Sequence, residues 1–314
     1  MRSAFVFTPD RSFFPPAVRA IASLIAQEPA ANFDVLLLCE PDDVVPGLDR
    51  LEPAVRDRIN LITFDFARLG ERLKPRGRLS RAVFRRLFLD RVLPAEYERF
   101  VTIDSDMLIV RPGMTRLLDV DLGGHPIAAA YDMIFLMDFR GDWLSRRFQA
   151  ARRSLGLELN TPYFNAGLMA IDRRAWRDMK LTERVTTALE NKPERFPFLE
   201  QDALNSTLRG GFAPLSPRFN FMGDFLLLDL EREIAPSVLH FVNAPKPWEL
   251  ADWKGEARFA DAYQTWFSNS PWPELAQAPV TPLWRKTKPR LTPARKRFRE
   301  RLTAFLDGQA FIDL

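Results

Sequence analysis

Residues 100–106 read Phe100-Val101-Thr102-Ile103-Asp104-Ser105-Asp106, a strand-like run that ends in two aspartates. In open α/β sheets, ligands collect at the carboxyl ends of the strands, and the acidic pair stands at such an end. Because Asp104 and Asp106 are two apart on an extended segment, their side chains leave on the same side and can converge on one hard cation, Mg²⁺ or Mn²⁺. A solvated turn, in which aspartate is also common, explains the pair alone equally well.

Strand-like and helix-like runs alternate on both sides of this stretch. After the first strand, Val18, Ile21, Ala22 and Ile25 recur at helical spacing, which predicts a helix that covers the sheet. The alternation predicts an α/β fold, with one large domain built on a mostly parallel sheet. Strands are predicted at 3–7, 34–39, 59–64, 100–103, 107–110, 127–130, 168–171 and 238–241, and further helices at 80–92, 143–155, 181–190 and 200–208.

The composition is that of a soluble globular protein. The chain has 314 residues, of which 46% are hydrophobic and 27% are charged, enough to bury a sizeable core. The longest apolar runs, such as 35–39 and 225–228, are far too short to cross a bilayer. Asp10 and Arg11 interrupt the apolar start of the chain, so we expect no signal peptide and a cytoplasmic location. The single cysteine, Cys39, is predicted to be a buried small hydrophobe.

The composition changes after about residue 250, where tryptophan, proline and basic residues become frequent. We therefore predict a domain over 1–250 and a small helical appendage, rich in basic and aromatic residues, over 251–314. From Pro293 onward, apolar residues recur at helical spacing among basic ones, which predicts a basic amphipathic helix. Its apolar stripe consists of Phe298, Leu302, Phe305 and Leu306. The basic residues of the tail are Arg285, Lys286, Lys288, Arg290, Arg295, Lys296, Arg297, Arg299 and Arg301.

Two roles are open for this tail. A basic amphipathic helix preceded by an aromatic residue, here Trp284, is typical of proteins that bind an anionic membrane surface. Alternatively, the apolar stripe packs on the preceding domain and the charges are solvated. The net charge of the whole chain, +4, is modest, and we predict no nucleic-acid partner.

A second group of functional candidates lies late in the chain, at Leu239-His240-Phe241-Val242-Asn243-Ala244-Pro245-Lys246-Pro247-Trp248. The chain has two histidines, and His240 stands at the end of a predicted strand, where an imidazole can bind a metal. Lys246 stands between two prolines. The alternatives are a hydrogen-bonded core histidine and an ordinary surface lysine.

Five separated segments resemble, in the same order, the retaining glycosyltransferases of family 8, and most closely the bacterial lipooligosaccharide α-galactosyltransferases. The resemblance implies a single GT-A type nucleotide-sugar-binding domain that transfers a hexose from a UDP-sugar to a saccharide acceptor with retention of configuration. It also implies an acceptor such as the lipopolysaccharide core, and the basic tail would hold the enzyme peripherally at the cytoplasmic face of the inner membrane, where a lipid-linked acceptor resides. The segments are Val101-Thr102-Ile103-Asp104-Ser105-Asp106, Tyr163-Phe164-Asn165-Ala166-Gly167, Glu200-Gln201-Asp202-Ala203-Leu204-Asn205, Arg218-Phe219-Asn220-Phe221-Met222 and His240 through Trp248.

The resemblance implies roles at the nucleotide end of the donor. Asp104, Asp106 and His240 would bind Mn²⁺, or Mg²⁺, and the ion would bridge the diphosphate. Lys246 would contact the diphosphate. Asp10, in the loop after the first strand, would contact the uracil, although a simple turn residue is the alternative.

The resemblance also implies roles at the sugar. Arg86 would reach the donor sugar, and Asn165 with the backbone of Ala166 would hydrogen-bond its hydroxyls. Asp132 would lie near both donor and acceptor. The alternatives are a solvated helix charge for Arg86, a turn for Asn165 and a helix cap for Asp132.

The helix predicted at 200–208 carries the remaining candidates. Gln201, flanked by Asp202 and Asn205, would face the reacting side of the sugar, whereas helix capping is the alternative for Glu200 and Gln201. Glu200 stands where the galactosyltransferases have aspartate, so the donor stays open between UDP-galactose and UDP-glucose. Asn243 replaces a glycine whose backbone approaches the phosphate, which leaves the geometry there open.

Glutamine is a poor nucleophile, so we expect a front-side displacement in which the leaving diphosphate takes the proton of the acceptor. Double displacement with Asp132 or Asp202 as nucleophile is the less favoured variant. Two other functions remain. A strand that ends in two spaced aspartates also opens the site of haloacid-dehalogenase-like phosphohydrolases, although these carry it near the chain start. A non-catalytic protein that retains a sugar-nucleotide pocket is the other.

Overall fold

The computed structural model describes residues 2–75, 80–249, 256–276 and 291–314. Within these ranges the chain forms ten strands and thirteen α-helices, numbered here in chain order. The strands are β1 Arg2–Phe7, β2 Asp34–Cys39, β3 Ile59–Thr63, β4 Tyr97–Ile103, β5 Met107–Ile109, β6 Ile127–Tyr131, β7 Phe164–Asp172, β8 Ala213–Leu215, β9 Phe221–Met222 and β10 Val238–His240. The helices are α1 Phe14–Gln27, α2 Pro53–Arg56, α3 Phe66–Leu69, α4 Leu89–Val92, α5 Met133–Leu136, α6 Trp143–Ser154, α7 Arg173–Asp178, α8 Leu181–Asn191, α9 Leu199–Leu208, α10 Gly223–Leu227, α11 Glu231–Ile234, α12 Ala257–Ser268 and α13 Pro293–Asp307.

Seven strands form one sheet in the order β3-β2-β1-β4-β7-β6-β8. Neighbouring strands are parallel, except that β7 is antiparallel to β4 and to β6. Strand β1 is parallel to β4, with Val6 opposite Thr102, so the loops after both strands open at the same edge of the sheet. The predicted α/β fold with a mostly parallel sheet is therefore confirmed.

A smaller sheet has the strand order β5-β10-β9. In β10, His240 lies opposite Met107 of the antiparallel strand β5 and opposite Met222 of the parallel strand β9. The Phe241 backbone N–H also donates to the Asp106 carbonyl over 3.0 Å. This sheet therefore joins the late histidine to the segment that carries the acidic pair.

Apolar residues cover the main sheet on both faces. Alternate residues of β1 belong to two separate clusters, with Ala4 and Val6 in the first and Phe5 and Phe7 in the second. A strand that is buried on both faces must have this pattern, because successive side chains point to opposite sides. Helix α1 packs on the second face with a buried stripe that includes Ile21, and residues of α8 and α9 belong to the first cluster.

The structure corrects the predicted helix over 80–92. Residues Arg81–Phe88 form a 3₁₀-helix, and only Leu89–Val92 is α-helical. The consecutive residues Arg85 and Arg86 are both buried, and their guanidinium groups bind different partners. These tertiary contacts override the periodicity of the apolar residues on which the prediction was based. Strands β8 and β9 were not predicted, because three and two residues are too few to show an alternating pattern.

Helix α13 packs on the domain through its apolar stripe. Phe298 and Leu302 are buried in the first cluster, and the Phe305 ring stacks on Phe139 with ring centroids 4.4 Å apart. After the helix, Ile312 forms a bridge to Leu215 of β8. The packed stripe, which is the second of the two roles predicted for the tail, is therefore the one found, and the stripe does not face a membrane in this conformation.

Other described residues of 251–314 also contribute to the core. Tyr263 and Phe267 of α12 are fully buried in the first cluster, and Trp272 is buried in the second. The described part of the C-terminal region is mainly helical, as predicted. The predicted basic and aromatic residues 284–290 lie outside the described ranges. Among the described helices, none is long and apolar enough to cross a bilayer.

Candidate active site

The turn between β4 and β5 carries the acidic pair to the carboxyl edge of the main sheet. Asp104 follows β4 directly, and its backbone N–H donates to the Gly167 carbonyl of β7 over 2.8 Å. His240 ends β10, and its Nε2 lies 3.2 Å from Asp106 Oδ1 and 3.9 Å from Asp104 Oδ2. One ligand atom from each of the three residues lies within 4.8 Å of the others. The structure thus brings the three predicted metal ligands together.

This donor set fits a hard divalent cation. Two carboxylates and one imidazole are ligands that Mn²⁺ accepts, and phosphate oxygens and water would complete its coordination. Two carboxylates held this close also repel each other unless positive charge is near. The side chain of Asp104 is 31% exposed, whereas that of His240 is 3% exposed, so the set is open to solvent on the Asp104 side. The residues present therefore fit Mn²⁺ or Mg²⁺.

Lys246 supplies positive charge next to Asp106. Its Nζ donates to Asp106 Oδ2 over 2.7 Å and to the Phe241 carbonyl over 2.6 Å. Burial raises the pKa of the Asp106 carboxyl, but the charges of His240 and Lys246 outweigh it and hold the pKa below its usual value. Lys246 is buried, so the surface-lysine alternative is wrong.

Arg86 connects the acidic pair to the predicted sugar side. Its guanidinium donates to Asp104 Oδ1 and to the Ala166 carbonyl, and its Nε lies 3.7 Å from Glu200 Oε1. Arg86 is buried, so a solvated helix charge is excluded. Burial raises the pKa of the Glu200 carboxyl to about 7, although the charge of Arg86 opposes this.

Asn165, near the start of β7, and Asp132, directly after β6, lie side by side. Asn165 Nδ2 donates to Asp132 Oδ2 over 2.7 Å, and both side chains are buried. Asp132 Oδ1 also accepts from the Ile134 N–H over 2.7 Å, so Asp132 caps helix α5. Burial raises the pKa of the Asp132 carboxyl, and its hydrogen bonds offset part of that effect. The helix-cap alternative for Asp132 is therefore correct, and the residue lies in the site as well.

The side chain of Gln201, on helix α9, reaches Ala166 and Asp132. Its Oε1 accepts from the Ala166 N–H over 2.9 Å, and its Nε2 lies 3.3 Å from Asp132 Oδ2 and 3.2 Å from the Tyr163 hydroxyl. The Ala166 carbonyl accepts from Arg86, so both backbone polar groups of Ala166 bond within the protein. Gln201 is thus joined to three of the residues around the predicted sugar position.

Asp202 and Asn205 hold helix α9 against β7. The Asp202 carboxylate accepts from the Tyr163 hydroxyl over 2.6 Å and from the Phe198 N–H over 2.6 Å. Burial raises the pKa of Asp202 to about 6. Asn205 bonds the N–H and the carbonyl of Phe164, each over 2.9 Å. Both oxygens of Asp202 are therefore engaged within the protein.

Asp10 follows β1 at the same edge of the sheet as Asp104. Its Oδ1 accepts from the Ser12 hydroxyl over 2.7 Å and from the Phe13 N–H over 3.0 Å, next to the start of α1. These bonds give Asp10 the turn role that was its alternative. A contact with uracil stays a prediction.

Three residues of the site received no role from the sequence. Asn220 bonds the ring of His240, Tyr163 bonds Asp202 and Gln201, and Gly167 lies beneath the histidine. A Cβ added to Gly167 would lie 2.5 Å from His240 Cε1, so a larger residue would displace the ring. All three lie inside the five segments that resemble family 8. That resemblance was the signal that could have identified them.

The chain matches the model of Glycosyl transferase family 8 over residues 5–252. Lipopolysaccharide 1,2-glucosyltransferase of Escherichia coli (strain K12) is 27% identical over 202 residues, which are 62% of this chain and 56% of that protein. General stress protein A of Bacillus subtilis (strain 168) is 26% identical over 214 residues, which are 62% of this chain and 67% of that protein. The match to the first relative thus spans little more than half of its length.

A crystal structure of the galactosyltransferase LgtC with donor and acceptor sugar analogues superposes with a TM-score of 0.67 at 21% identity. The match covers 83% of this chain and 95% of that chain, and it confirms the expected GT-A type fold. The family match includes all the residues assigned to the site. The chain therefore belongs to glycosyltransferase family 8, the family that its five segments resemble.

Proposed function

We propose that this protein is a metal-dependent glycosyltransferase that moves galactose or glucose from a UDP-sugar to a saccharide acceptor with retention of configuration. The convergence of Asp104, Asp106 and His240 beside Lys246 carries this proposal. A second cluster of polar residues, around Gln201, lies next to these residues. A UDP-sugar has a charged diphosphate end and a sugar end, and the two clusters would each bind one of them. The names of a glucosyltransferase relative and of a galactosyltransferase with the same fold support a hexose donor.

The acceptor that we propose is a saccharide of the lipopolysaccharide core, because the relative from Escherichia coli is named for lipopolysaccharide. Such an acceptor is lipid-linked, so the enzyme would work peripherally at the cytoplasmic face of the inner membrane. The apolar stripe of α13 is packed, but Lys296, Arg297 and Arg301 of the same helix are exposed. This basic face, rather than the stripe, would then contact anionic lipid.

At the diphosphate, positive charge is the main catalytic device. A bound Mn²⁺ or Mg²⁺ supplies a Lewis acid that neutralises charge on the leaving group. Lys246 adds a second charge, held in position by its bonds to Asp106 and to the Phe241 carbonyl. Because His240 and Lys246 lower the pKa of Asp106, this ligand is ionised at neutral pH.

At the sugar, the carboxylates favour a front-side displacement without a protein nucleophile. Asp132 is bonded through both oxygens, to the Ile134 N–H and to Asn165, and Asp202 is also bonded through both. Hydrogen bonds to both oxygens of a carboxylate stabilise its negative charge and so make it a weaker nucleophile. The amide of Gln201 stabilises the oxocarbenium-like face, and the leaving diphosphate takes the proton of the acceptor.

The alternatives fare differently. A haloacid-dehalogenase-like phosphohydrolase is excluded because the chain belongs to another family over residues 5–252. A non-catalytic sugar-nucleotide-binding protein is disfavoured, since the three metal ligands converge beside Lys246 and Gln201 is bonded to Ala166 and Asp132.

A panel of UDP-sugars tests the proposal. Purified protein with Mn²⁺ is incubated with UDP-galactose or UDP-glucose and a saccharide acceptor, and the anomeric configuration of the product is read by NMR. Retention supports the proposal, whereas an inverted product contradicts it. Binding of UDP-sugars without turnover would favour the non-catalytic alternative.

Glu200→Asp should change the ratio of the two donor activities if Glu200 selects the sugar. An unchanged ratio would show that Glu200 does not select it.

A further inference from the structure

A line of four buried polar side chains connects the sugar side of the site to the metal side. Asn165 Nδ2 donates to Asp132 Oδ2 over 2.7 Å, and Asn220 Nδ2 donates to Asn165 Oδ1 over 2.8 Å. At the other end, Asn220 Oδ1 lies 2.8 Å from His240 Nδ1. Asn220 is fully buried, at 0% exposure. A buried amide of this kind costs free energy unless its partners satisfy it, and here each end has one.

The orientation of the first amide follows from its backbone partner. The Gly167 N–H lies 2.9 Å from the Asn165 side chain, and a backbone N–H can only donate. The atom that faces it must therefore be the amide oxygen, Oδ1. The NH₂ group then faces Asp132, whose carboxylate accepts. Asn165 consequently presents an oxygen to Asn220.

The orientation of Asn220 follows in turn. Because Asn165 offers an acceptor, Asn220 must turn its NH₂ group toward it and its own oxygen toward His240. An amide oxygen can only accept, so Nδ1 of the imidazole must carry a proton. The other nitrogen, Nε2, lies 3.2 Å from Asp106 Oδ1, at the place where the three ligand atoms converge.

We propose that Asn220 is a positioning residue that fixes the tautomer and the ring orientation of His240, so that the lone pair of Nε2 is directed at the cation. The polarity is set by the Gly167 N–H and passes through two amides to the imidazole. Partners of this kind orient metal-binding histidines by accepting from the nitrogen that does not bind the metal. The proposal rests on the metal site of the proposed function. It adds a role for Asn220, which has none in that function.

The tautomer can be measured without any substitution at Asn220. The metal-free protein is labelled with ¹⁵N-histidine, and long-range ¹H–¹⁵N spectra are recorded. The chain has two histidines, so the spectrum of His125→Gln assigns the signals of His240. We expect Nδ1 of His240 to carry a proton, whether or not Nε2, which lies 3.2 Å from Asp106 Oδ1, carries one as well. A His240 whose Nδ1 is unprotonated overturns the proposal.

Variants test the consequence for metal binding, measured by calorimetric titration of the donor-free protein with MnCl₂. Asn220→Ala should raise the dissociation constant for Mn²⁺ by about 10- to 100-fold and give His240 a mixed tautomer. Asn220→Asp keeps an acceptor beside Nδ1 and should keep the Nδ1–H tautomer. Asn205→Ala is the matched control, because it also removes a buried hydrogen-bonded amide, and none of the three hydrogen bonds of Asn205 is to His240.

The outcomes separate the two proposals. An unchanged Mn²⁺ affinity in folded Asn220→Ala, or an equal loss in Asn205→Ala, overturns the role of Asn220. If wild-type protein binds no Mn²⁺ at all, the metal site of the proposed function fails instead. The tautomer of metal-free wild-type protein still decides the orientation of His240 if Asn220→Ala does not fold.

Discussion

The Nζ atom of Lys246 lies 2.7 Å from Oδ2 of Asp106, so the residue expected at the diphosphate is bound to a residue expected at the metal. A second bond, to the Phe241 carbonyl over 2.6 Å, fixes the ammonium beside His240. A charge that is held in place needs no reorganisation when negative charge develops on a leaving group. The proposed diphosphate half of the site is in this sense arranged in advance.

Removing the charge of Lys246 tests its role. Lys246→Met should lower kcat/KM for UDP-sugar turnover by about 100-fold, because the leaving diphosphate loses a stabilising charge. The Mn²⁺ affinity of the donor-free protein should not fall, since no ligand atom is removed. Lys192→Met, at an exposed lysine after α8, is the control. An unchanged kcat/KM in folded Lys246→Met would separate Lys246 from the diphosphate.

Truncation of Gln201 distinguishes stabilisation from nucleophilic attack. Gln201→Ala should lower kcat by about 100-fold without abolishing it, because an amide that stabilises charge contributes less than a nucleophile. Single-turnover kinetics followed by mass spectrometry checks both the rate and the covalent state. A glycosyl adduct trapped on Asp132 or Asp202 would establish double displacement instead.

The raised pKa of Glu200 makes stability depend on pH. Its pKa is about 7 in the folded protein, so the fold binds a proton that the unfolded chain, with an ordinary carboxyl pKa, has already released. Stability contributed by this proton is lost as pH rises toward 8. Glutamine cannot ionise, so the stability of Glu200→Gln relative to wild type should increase by about 2 kcal/mol between pH 5 and pH 8.

Urea unfolding at several pH values measures this difference. Glu158→Gln, at an exposed glutamate, is the control and should show no such trend. A stability difference for Glu200→Gln that is the same at all pH values would mean that Glu200 is ionised throughout, and that Arg86 outweighs burial.

The exposed basic face of α13 predicts binding to anionic vesicles. Wild-type protein should co-sediment with them at low salt and be released at high salt. Replacing Lys296, Arg297 and Arg301 together by alanine should weaken binding by about 3 kcal/mol, since each basic residue near an anionic surface contributes about 1 kcal/mol. Activity on a small soluble acceptor should be retained. Equal sedimentation of the two proteins would refute the role of this face.

The sequence predicted the parts of the site that short patterns encode. Asp104 and Asp106 follow a strand whose apolar run is unambiguous, and β1 and β4 are parallel as the alternation requires. Cys39 is buried as predicted, and burial raises the pKa of its thiol to about 11. Local pattern was sufficient wherever the environment of a residue is set by its own strand.

Local sequence pattern was insufficient to predict the environment of a residue whose contact partners come from elsewhere in the chain. Arg86 was open between a surface charge and a site residue, because its partners Asp104 and Ala166 belong to other elements. The apolar stripe of α13 had to be buried against something, but its periodicity does not identify Phe139 as the residue on which Phe305 packs. Asn220 precedes the short strand β9 and comes close to His240 because β9 pairs with β10. Hydrophobic periodicity cannot predict a pairing that involves a strand of two residues.

The metal dependence of donor turnover tests the central claim most directly. UDP release from UDP-galactose and UDP-glucose is measured for wild type and for Asp106→Asn, in Mn²⁺, after chelation with EDTA, and after Mn²⁺ is restored. We predict release by wild type that stops on chelation and returns with Mn²⁺, and a loss of about 100-fold or more in Asp106→Asn, because hard-cation binding needs the carboxylate charge. Turnover that persists in EDTA, or wild-type activity in folded Asp106→Asn, would contradict the assignment of Asp104, Asp106 and His240 as the metal site.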